Sequence, residues 1–593
     1  MARLFTRLLR VRDTLRLTFR SSPSGFGVLV ILTLLGALLP LVVAYIGKSI
    51  VDAVVAHDRS RALHRVEIEL GLMIALVAVQ RTAAVLRSIV GTRLALSVNA
   101  QILAKALTLD LQHFQDPEFY DQLTRARREA SSRPLAMATE ILAISQAVLT
   151  LLGFVGLLFS FSWLAVLVLI AAALPAAAAE VKYSRDVFAL RNARAPEMRR
   201  LSYLEYVLAS DEHAKEVMTL GLGSMLLERY RDLGEAIFRE DRALLVRRAI
   251  WGMFLSQLGT VSFYGCYLFI VGMAATGRIS LGQMTLYIVA FRQGQQCFQA
   301  SLLSLGALYE HDLYMSNLLD FLAQPTTRRL IAQLPASAAS SGSERGIRFR
   351  GVGFRYPGQE GFALRNIDLF IPAGRSLALV GQNGAGKSTF IKLLTGLYQP
   401  TEGQVLIDGL DVSLMPPEVL RQRIAVVFQD FNQYQFSARE NVGFGSPLHA
   451  QDTERVQRAL SRGGADFIRE LPDGIDTQLG RLFHNGVELS GGQWQRIALA
   501  RAFMREEADI LILDEPTAAL DATAEREIFE RFRHLSQGRT ALLISHRFPT
   551  VRMADHIVVL ESSRVIEQGT HDALLSQGGQ YATMFRLQAQ GYQ

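Results

Sequence analysis

Cysteine is nearly absent from this sequence, and its scarcity limits what the chain can be. Only Cys266 and Cys297 occur among the 593 residues, and both lie in apolar segments. Two cysteines in such positions provide neither a disulfide framework nor the paired spacing of a zinc site. We therefore expect both side chains to be buried as small apolar groups with no chemical role.

Charged residues are also few for a protein of this length. They make up 20% of the chain, whereas hydrophobic residues make up 50%, and the mean hydropathy is +0.20. This composition is unusual for a soluble protein and favours a membrane protein, with the lipid bilayer as a partner. The net charge of +7 is better explained by arginine-rich segments beside a bilayer than by nucleic-acid binding, and the length predicts two or more domains.

Six apolar segments predict six membrane-spanning helices. The first, residues 26–47, follows an arginine-rich stretch, residues 1–20, which has the pattern of an amphipathic helix on the membrane surface. A transit peptide is the alternative for that stretch, but no cleavage site is evident before the first span. The remaining predicted spans are residues 67–90, 141–160, 164–179, 250–276 and 281–308.

The connections between these spans are unequal, which indicates long helices outside the bilayer. Residues 91–140 and 180–248 are long, polar and helical in pattern, whereas the other connections are short. Each long stretch contains a helix start with acidic and aromatic residues, at 112–128 and 202–215. These segments either dock on a partner surface or form solvated bends.

A linker divides the chain into two predicted domains. Residues 1–322 contain the six spans, and residues 323–346 are rich in Pro, Ala and Ser, as expected of a linker. Over residues 347–593 strands alternate with helices, which predicts an α/β domain around a largely parallel sheet.

A glycine-rich loop after an apolar strand organises the second domain. The strand, residues 377–380, leads into G-x-x-x-x-G-K-S and then a helix, which is the spacing of a phosphate-binding loop. Its glycines allow the backbone N–H groups to turn inward, and the helix start adds the positive end of its dipole. We expect Lys387 to reach the outer phosphates of a nucleotide and Ser388 to bind magnesium. The predicted nucleotide contacts are Gly381, Asn383, Gly384, Gly386, Lys387, Ser388 and Thr389.

Two acidic residues follow another apolar strand of this domain. Asp514 and Glu515 end the run that begins at Ile510, at a strand end where such sheets deliver catalytic groups. We expect Asp514 to hold magnesium, directly or through water, and Glu515 to orient or deprotonate an attacking water. His546 follows the strand 541–544 and is a candidate near the leaving phosphate, although a lone histidine at a strand end is more often structural.

The pentapeptide Leu489-Ser490-Gly491-Gly492-Gln493 completes a set of motifs that resembles one known family. The set also contains the phosphate loop, Phe428-Gln429-Asp430, Asp514-Glu515, Ala519-Leu520-Asp521 and Ser545-His546. Together they resemble the motifs of ATP-binding cassette (ABC) transporters, and six spans followed by one cassette resemble the exporter-type half-transporters of that family. The resemblance covers the whole chain. It implies a membrane all-α six-helix transmembrane domain followed by an α/β P-loop NTPase nucleotide-binding domain.

The resemblance implies that two chains form each site for ATP and Mg²⁺. Ser490, Gly492 and Gln493 of one subunit would complete the site built on Lys387 of the other, so that two cassettes close head to tail. One chain carries one phosphate loop and one LSGGQ segment, and a complete site therefore needs a second chain. Because the nameable catalytic positions are intact, we expect a homodimer, with a related half-transporter as the alternative partner. ATP would favour closed cassettes, and hydrolysis would release them and drive alternating access.

The resemblance assigns further roles outside the phosphate loop. Tyr356 resembles the aromatic residue that stacks on adenine, Gln429 resembles the residue that links magnesium to the membrane domain, and Asp521 belongs to the nucleotide contacts. Segments around Asp116 and Ser210 resemble the two coupling helices that contact the cassettes, and we expect residues 116–120 to dock near Gln429. We expect a multi-pass protein of a cell membrane, of the bacterial inner-membrane type, with both termini in the cytoplasm.

The transported substrate is indicated by a resemblance to one subgroup. Residues 480–488 and Gln493-Trp494-Gln495 are similar to those of lantibiotic-type peptide exporters that lack a protease domain, and no Cys/His pair precedes the first span. We therefore take a peptide as the first candidate for the transported substrate, ahead of a lipid or a drug. An importer of the same fold and an ATP-regulated channel or receptor subunit are the alternatives. A soluble cassette ATPase that acts on nucleic acid is excluded by the apolar spans.

A polar stripe in the sixth predicted span is a candidate for the substrate route. Arg292, Gln295, Gln296 and Gln299 lie at i, i+3, i+4 and i+7, which places them on one helix face. Polar side chains are costly in lipid, so the stripe should face the dimer interior or a water-filled cavity. The alternative is that the glutamines hydrogen-bond to neighbouring helices and only stabilise their packing.

Overall fold

A computed structural model of the protein describes residues 2–116, 119, 123, 126, 133–324, 345–515, 533, 536–545 and 547–590. The chain divides into two compact units. The helical unit comprises Met1–Thr108 and Pro117–Thr326, and the α/β unit comprises Leu109–Asp116 and Thr327–Gln593. The segment Leu109–Asp116 therefore belongs with the α/β unit, although it lies between apolar helices in the sequence.

Helices make up the described part of the helical unit, as the long apolar runs predict. Cys266 is buried in one of them and Cys297 is half-buried in another, as expected for small apolar side chains. In chain order the helices up to residue 323 are Ala2–Ser21 (α1), Pro23–Val55 (α2), Arg59–Ala106 (α3), Leu111–Gln115 (α4), Arg133–Phe159 (α5), Trp163–Ala193 (α6), Ala195–Ala209 (α7), Asp211–Thr219 (α8), Gly223–Ala275 (α9) and Leu281–Ala323 (α10).

Four of these helices are long and apolar enough to cross a membrane. They are α2, α3, α5 and α9, which contain the first, second, third and fifth predicted spans. The fourth and sixth predicted spans lie in α6 and α10, which are not among the four helices found in the described part of the chain. In α10 the reason is the polar stripe from Arg292 to Gln299, so the count of six spans stays a prediction.

Two helices continue far beyond the length that a bilayer requires. α3 has 48 residues and α9 has 53, which correspond to about 70 to 80 Å at the rise of an α-helix. The hydrocarbon core is only about 30 Å thick, so these lengths agree with the predicted extensions outside the bilayer, which stay a prediction. The predicted helix start near residue 210 is also present, because α8 begins after the extended residue Ser210 and carries Asp211 and Glu212 in its first turn, where the helix dipole favours acids.

The first helix, α1, packs against the rest of the helical unit. The Arg10 guanidinium donates to both carboxylate oxygens of Asp312 in α10, each over 2.7 Å, and Asp312 is 6% exposed. Thr14 is fully buried, and its hydroxyl donates to the sulfur of Met137 in α5 over 3.4 Å. The predicted amphipathic helix is therefore present, but one of its faces is buried in protein rather than resting on lipid alone.

Ten strands form two sheets in the α/β unit. They are Gly346–Phe354 (β1), Leu364–Pro372 (β2), Ser376–Gly381 (β3), Glu402–Ile407 (β4), Leu410–Asp411 (β5), Ile424–Val427 (β6), Ile510–Asp514 (β7), Thr540–Ile544 (β8), His556–Glu561 (β9) and Arg564–Gly569 (β10). Its helices after the phosphate loop are Lys387–Leu394 (α11), Pro417–Arg423 (α12), Ala438–Gly443 (α13), Thr453–Gly463 (α14), Gly491–Phe503 (α15), Phe548–Val551 (α16), His571–Gln577 (α17) and Gln580–Gln590 (α18), with 3₁₀ turns at Pro447–His449, Asp466–Glu470 and Gly474–Asp476.

The larger sheet is mainly parallel, as predicted, and it brings the motif residues to one edge. Its strand order is β10-β9-β3-β8-β7-β6, and only the β9–β10 pair is antiparallel. Every residue of β7 and β8 is buried, which explains their unbroken apolar sequences. Because parallel strands end at the same edge, the end of β3 at Gly381 and the end of β7 at Asp514 meet beside the end of β8.

The smaller sheet is antiparallel and was not predicted. Its order is β2-β1-β4-β5, with Ile347 of β1 paired to Ile371 of β2 and to Ile407 of β4. Alternating apolar residues predict a strand but not its partner, so the sequence did not separate this sheet from the other. The Phe349 ring of β1 stacks on Phe390 of α11 with 4.0 Å between ring centroids, which fixes the sheet against the helix that follows the phosphate loop.

Candidate nucleotide site

The phosphate-binding loop connects the buried strand β3 to the helix α11. Gly386 stands at the N-terminus of α11 with a φ of +104°, and a Cβ atom there would lie 2.5 Å from the backbone oxygen of Ala363. Both the backbone conformation and the contact therefore require glycine at this position. The helix then begins at Lys387, so that its first N–H groups and the positive end of its dipole face the loop.

Lys387 is held inside this loop. Its ammonium donates to the backbone oxygens of Gly381, over 2.8 Å, and Gln382, over 3.0 Å, and the residue is 7% exposed. Burial lowers the pKa of Lys387, and the nearby Glu515 and Asp514 act in the opposite direction. A cation that has lost most of its hydration is stabilised by an anion that reaches it, which is what phosphate oxygens at this loop would provide.

Two carboxylates stand at the end of β7, in different environments. Asp514 is 5% exposed, and its burial, followed by the charge of Glu515, raises its pKa to about 6, while Lys387 opposes the shift. Glu515 has a φ of +48°, an unusual conformation for a residue with a side chain. Its N–H donates to the backbone oxygen of Ile544 in β8 over 3.0 Å, and this contact helps to hold the turn.

Gln429, in the loop that follows β6, lies next to Glu515. Its Nε2 donates to Oε2 of Glu515 over 2.8 Å. The amide therefore orients the carboxylate that the sequence predicts to act on the attacking water. This contact joins two residues that are 86 positions apart, and only the parallel order of β6 and β7 in the sheet brings them together.

One cavity of about 660 Å³, called the nucleotide cavity, collects nine of the predicted site residues. They are Tyr356, Asn383, Gly384, Gly386, Lys387, Ser388, Thr389, Gln429 and Glu515. Its walls also contain Gln359, Gly361, Phe362, Ala363 and Ser563, which sequence reasoning missed. They come from the β1–β2 connection and the β9–β10 turn, and the Ser563 hydroxyl donates to the Phe362 backbone oxygen over 2.7 Å. Arg355, the residue before Tyr356, stacks on the Phe362 ring with 3.8 Å between its guanidinium carbon and the ring centroid, and this contact extends the wall.

Tyr356 lies beside the end of the phosphate loop, where an adenine-stacking residue is expected. Its hydroxyl is 3.0 Å from the hydroxyl of Thr389, and the ammonium of Lys392 lies 5.4 Å from its ring centroid. The rings of Phe354 and Tyr398 meet it edge to face, at 5.0 and 5.5 Å. These contacts fix the position of the Tyr356 ring, and Tyr356 lines the nucleotide cavity.

The LSGGQ residues are placed differently. Ser490 caps the N-terminus of α15: its hydroxyl accepts from the N–H of Gln493 over 3.3 Å, and the Gln493 side chain accepts from the Ser490 N–H over 2.9 Å. Among the described residues, neither these two nor Gly492 lines the nucleotide cavity of their own chain. Asp521 and His546 lie outside the described residues.

Magnesium fits the chemistry of this site. The candidate ligands Ser388, Gln429 and Asp514 offer hydroxyl, amide and carboxylate oxygens, the donors that Mg²⁺ prefers. Asp514 is buried and its pKa is raised, as expected of a carboxylate that has too little positive charge around it. Among the described residues, no cluster of three or more His, Cys, Asp or Glu side chains could hold a metal ion.

The helix α4, which ends just before Asp116, contacts the α/β unit to which it belongs. Leu111 of α4 packs against the hydrophobic core of the α/β unit, and the hydroxyl of Tyr398 donates to the side-chain oxygen of Gln115. Phe119, the residue expected to dock near Gln429, is 4% exposed and lies 5.9 Å from the ring of Phe321 in the helical unit. Phe119 therefore packs within the helical unit, and the docking of residues 116–120 near Gln429 stays a prediction.

The polar stripe of α10 divides between the two roles that were considered for it. Gln295 packs on α9, where a Cβ atom at the buried Gly259 would lie 2.5 Å from its Nε2. Gln299 also lies beside Gly259, with its Nε2 3.7 Å from that Cβ position, and it lines a cavity of about 590 Å³ in the helical unit. Arg292 and Gln296 are exposed. The packing hypothesis is supported for Gln295, whereas Gln299 both packs near Gly259 and lines the cavity.

Comparisons with known proteins agree with these motifs. A family model described as "ABC transporter" matches residues 364–518. The subtilin transport ATP-binding protein SpaT of Bacillus subtilis is 31% identical over 571 residues, which cover 95% of this chain and 91% of that protein. The ATP-dependent lipid A-core flippase of Albidiferax ferrireducens is 30% identical over 519 residues, 84% of each chain.

A solved structure shows the same architecture. The structure of a bacterial Atm1-family ABC exporter with ATP bound has a TM-score of 0.79 to this chain. The alignment covers 95% of this chain and 98% of that one, at 24% identity. At this identity the match establishes the fold, in which a helical transmembrane part precedes an α/β nucleotide-binding part.

Proposed function

This chain belongs to the ATP-binding cassette (ABC) transporter family, and from that premise we propose that it is an exporter that hydrolyses ATP to move an amphipathic substrate across a membrane, as a homodimer. The family membership makes it an ATP-binding membrane protein that spans the bilayer more than once. The observation that carries the proposal is the nucleotide cavity, where Lys387, Gln429 and Glu515 converge from three parts of the sequence.

Hydrolysis in this site would depend on positioned charge. Glu515 accepts a proton from the water that attacks the γ-phosphorus of ATP, the new O–P bond forms, and the bond to the β-phosphate oxygen breaks to release ADP. Gln429 keeps the Glu515 carboxylate in place through the 2.8 Å hydrogen bond. Lys387 and the first N–H groups of α11 stabilise the negative charge of the phosphates. Magnesium held near Ser388, Gln429 and Asp514 would neutralise phosphate charge when it is bound.

The second half of each site would come from the partner chain. The Ser490 hydroxyl accepts a hydrogen bond from Gln493 and can therefore donate its own proton to the γ-phosphate of an ATP bound to the other subunit. The N-terminus of α15, a helix of 13 residues, would place the positive end of its helix dipole near that phosphate. ATP bridges two chains through its γ-phosphate, whereas ADP lacks it, so hydrolysis opens the dimer. The dimer would lie in a cell membrane, with both termini of each chain in the cytoplasm. In a bacterium that has two membranes, this would be the inner one.

Two relatives suggest what is exported. SpaT is named for subtilin transport, and its match extends over most of both chains, so a peptide is the first candidate. The flippase is named for lipid A-core and gives a lipid as the second candidate. Both substrate classes suit a carrier with long apolar helices.

Reconstitution tests the proposal directly. The purified full-length protein in sealed proteoliposomes should hydrolyse Mg-ATP and move a labelled amphiphile only when ATP is supplied on the side of the cassettes. The Glu515→Gln variant, which keeps the shape of the site, should do neither. ATP-independent movement that is equal in both proteins would contradict the proposal.

A further inference from the structure

The turn that connects β9 to β10 has an unusual composition for its backbone conformation. Glu561 of β9 pairs with Arg564 of β10, so that Ser562 and Ser563 alone form the loop of this hairpin. Both serines have a positive φ, +47° and +67°. A two-residue loop of this kind is most often Asn-Gly, because these residues adopt the left-handed region at a lower cost than serine does. The turn therefore carries backbone strain, and such strain is concentrated at functional sites.

Of the two serines, Ser563 is the one that reaches the nucleotide cavity. Ser562 is exposed, whereas Ser563 is half-buried and lines the cavity together with Phe362 and Tyr356. The contact with the cavity gives a reason for serine at position 563 that the turn itself does not supply.

Ser563 holds the cavity wall through both its side chain and its backbone. Its hydroxyl donates to the backbone oxygen of Phe362 over 2.7 Å, and its own backbone oxygen accepts from the N–H of Arg365 over 2.7 Å. Between these two residues lies Ala363, whose backbone oxygen is 2.5 Å from the position of a Cβ atom at Gly386. The turn therefore fixes a wall that packs directly against the phosphate loop.

The Ser563 hydroxyl can offer only one kind of hydrogen bond to a molecule in the cavity. A hydroxyl has one proton to donate and two lone pairs that accept. Because the proton is used on Phe362, the group is left as an acceptor. The ionised phosphates of ATP are acceptors themselves, whereas the nucleoside has donors, namely the amino group of adenine and the ribose hydroxyls. The nucleoside is therefore the part of ATP that matches Ser563.

We propose that Ser563 selects the nucleotide: its hydroxyl accepts a hydrogen bond from a donor of the nucleoside of ATP, either the adenine amino group or a ribose hydroxyl. This inference rests on the proposed function, since it takes ATP as the nucleotide of this site. Tyr356, the ring expected to stack on adenine, lines the same cavity. The hydrogen bond to Phe362 orients the hydroxyl before ATP arrives, so that little of the binding free energy is lost in ordering it.

The binding of ATP analogues tests this contact without any need for transport. Titration calorimetry of the purified full-length protein, with Mg²⁺ chelated so that nothing is hydrolysed, gives the Kd of each nucleotide. The analogues are purine riboside triphosphate, which lacks the amino group, and 2′-deoxy-ATP and 3′-deoxy-ATP, which each lack one ribose hydroxyl. We expect the wild type to bind one of these analogues about fivefold more weakly than ATP, the effect of one neutral hydrogen bond. The weakened analogue identifies the donor.

Removal of the hydroxyl should abolish this preference. In Ser563→Ala, ATP and the weakened analogue should bind with the same Kd. Ser563→Gly also lacks the hydroxyl but relaxes the positive φ, and it should give the same result, which excludes backbone strain as the cause. The matched control is Ser562→Ala, in the same turn but outside the cavity lining, and it should keep the fivefold preference.

A hydroxyl that only supports the wall would give a different result. Ser563→Ala would then weaken the binding of ATP and of all three analogues by the same factor, and the preference would remain. That outcome would overturn the proposal, as would an equal loss of the preference in Ser562→Ala.

Transport assays of the same proteins separate this inference from the export function. A preference that is lost in Ser563→Ala, in a protein that moves no substrate, would support the contact and reject the export function. A preference that is unchanged in Ser563→Ala, in proteoliposomes that still export, would reject the contact alone.

Discussion

The hydroxyl of Tyr398 donates to the side-chain oxygen of Gln115, and the ring of the same tyrosine stands edge-on to Tyr356, with 5.5 Å between centroids. Gln115 belongs to the short helix α4, which lies between the predicted second and third spans, whereas Tyr356 lines the nucleotide cavity. A single residue therefore touches both the segment that resembles a coupling helix and the ring expected to stack on adenine. We propose that Tyr398 is a positioning residue between α4 and the Tyr356 ring.

Removal of this hydroxyl should uncouple the two parts. We expect Tyr398→Phe, which keeps the ring and loses one hydrogen bond worth about 1 kcal/mol, to retain basal ATPase and to lose most of its stimulation by substrate. Gln115→Ala should have the same effect, and the double variant should be no worse than either single one. Additive losses in ATPase stimulation would show that the two residues act separately.

Replacement of Glu515 should separate ATP binding from hydrolysis. Glu515→Gln keeps the size of the side chain and loses the base, so turnover should fall by several orders of magnitude while ATP remains bound to a closed dimer. Lys387→Ala should instead weaken ATP binding itself, because a buried cation that pairs with phosphate is lost. Both are measured by nucleotide binding and phosphate release. Near-normal turnover in Glu515→Gln would remove Glu515 from its role.

The buried carboxyl of Asp514 predicts a particular dependence of stability on pH. Its pKa in the folded protein is raised to about 6, so its protonated form stabilises the fold below its ordinary pKa, and this stabilisation is lost as pH rises through about 6. Asp514→Asn stays neutral at every pH. Its melting temperature without nucleotide should exceed that of the wild type by a few degrees above about pH 7, and this difference should vanish below about pH 4. A difference that does not change with pH would contradict the buried charge.

Cysteine labelling should distinguish the two parts of the polar stripe. In a background with Cys266→Ser and Cys297→Ser, a polar thiol reagent should modify Gln299→Cys, which lines the cavity of about 590 Å³ in the helical unit, faster than Gln295→Cys, which lies nearer to Gly259. Labelling of Gln299→Cys should slow down when Mg-ATP closes a Glu515→Gln dimer. Equal rates at both positions would mean that the packing on Gly259 does not persist in the membrane.

The sequence predicted the parts of this protein whose chemistry is local. The phosphate loop is a continuous segment, so Gly386 and Lys387 could be assigned from spacing alone, and the apolar run that ends at Asp514 identified a buried strand. Contacts between distant segments were out of reach. Neither the wall around Phe362, which the turn at Ser563 supports, nor the docking of Gln115 on Tyr398 leaves a periodic signal in the sequence.

The membrane part shows the same division. Hydropathy located the helices, but it could not decide which residue of a polar stripe meets a neighbour. The answer depends on Gly259, a residue with no side chain, which lets α9 and Gln295 approach closely. Composition could not place Phe119 either, because an aromatic ring suits a docking surface as well as a helical core.

The most direct test of the account is complementation between two inactive chains. Lys387→Ala removes the phosphate loop function and Ser490→Arg blocks the LSGGQ contact, so homodimers of either variant contain no intact site. If each ATP site combines two chains, a mixed dimer has one intact site, and co-expression should restore roughly a quarter of wild-type ATPase activity for random mixing of chains and independent sites. ATPase activity that stays at the background of the single variants would contradict an exporter built from two copies of this chain.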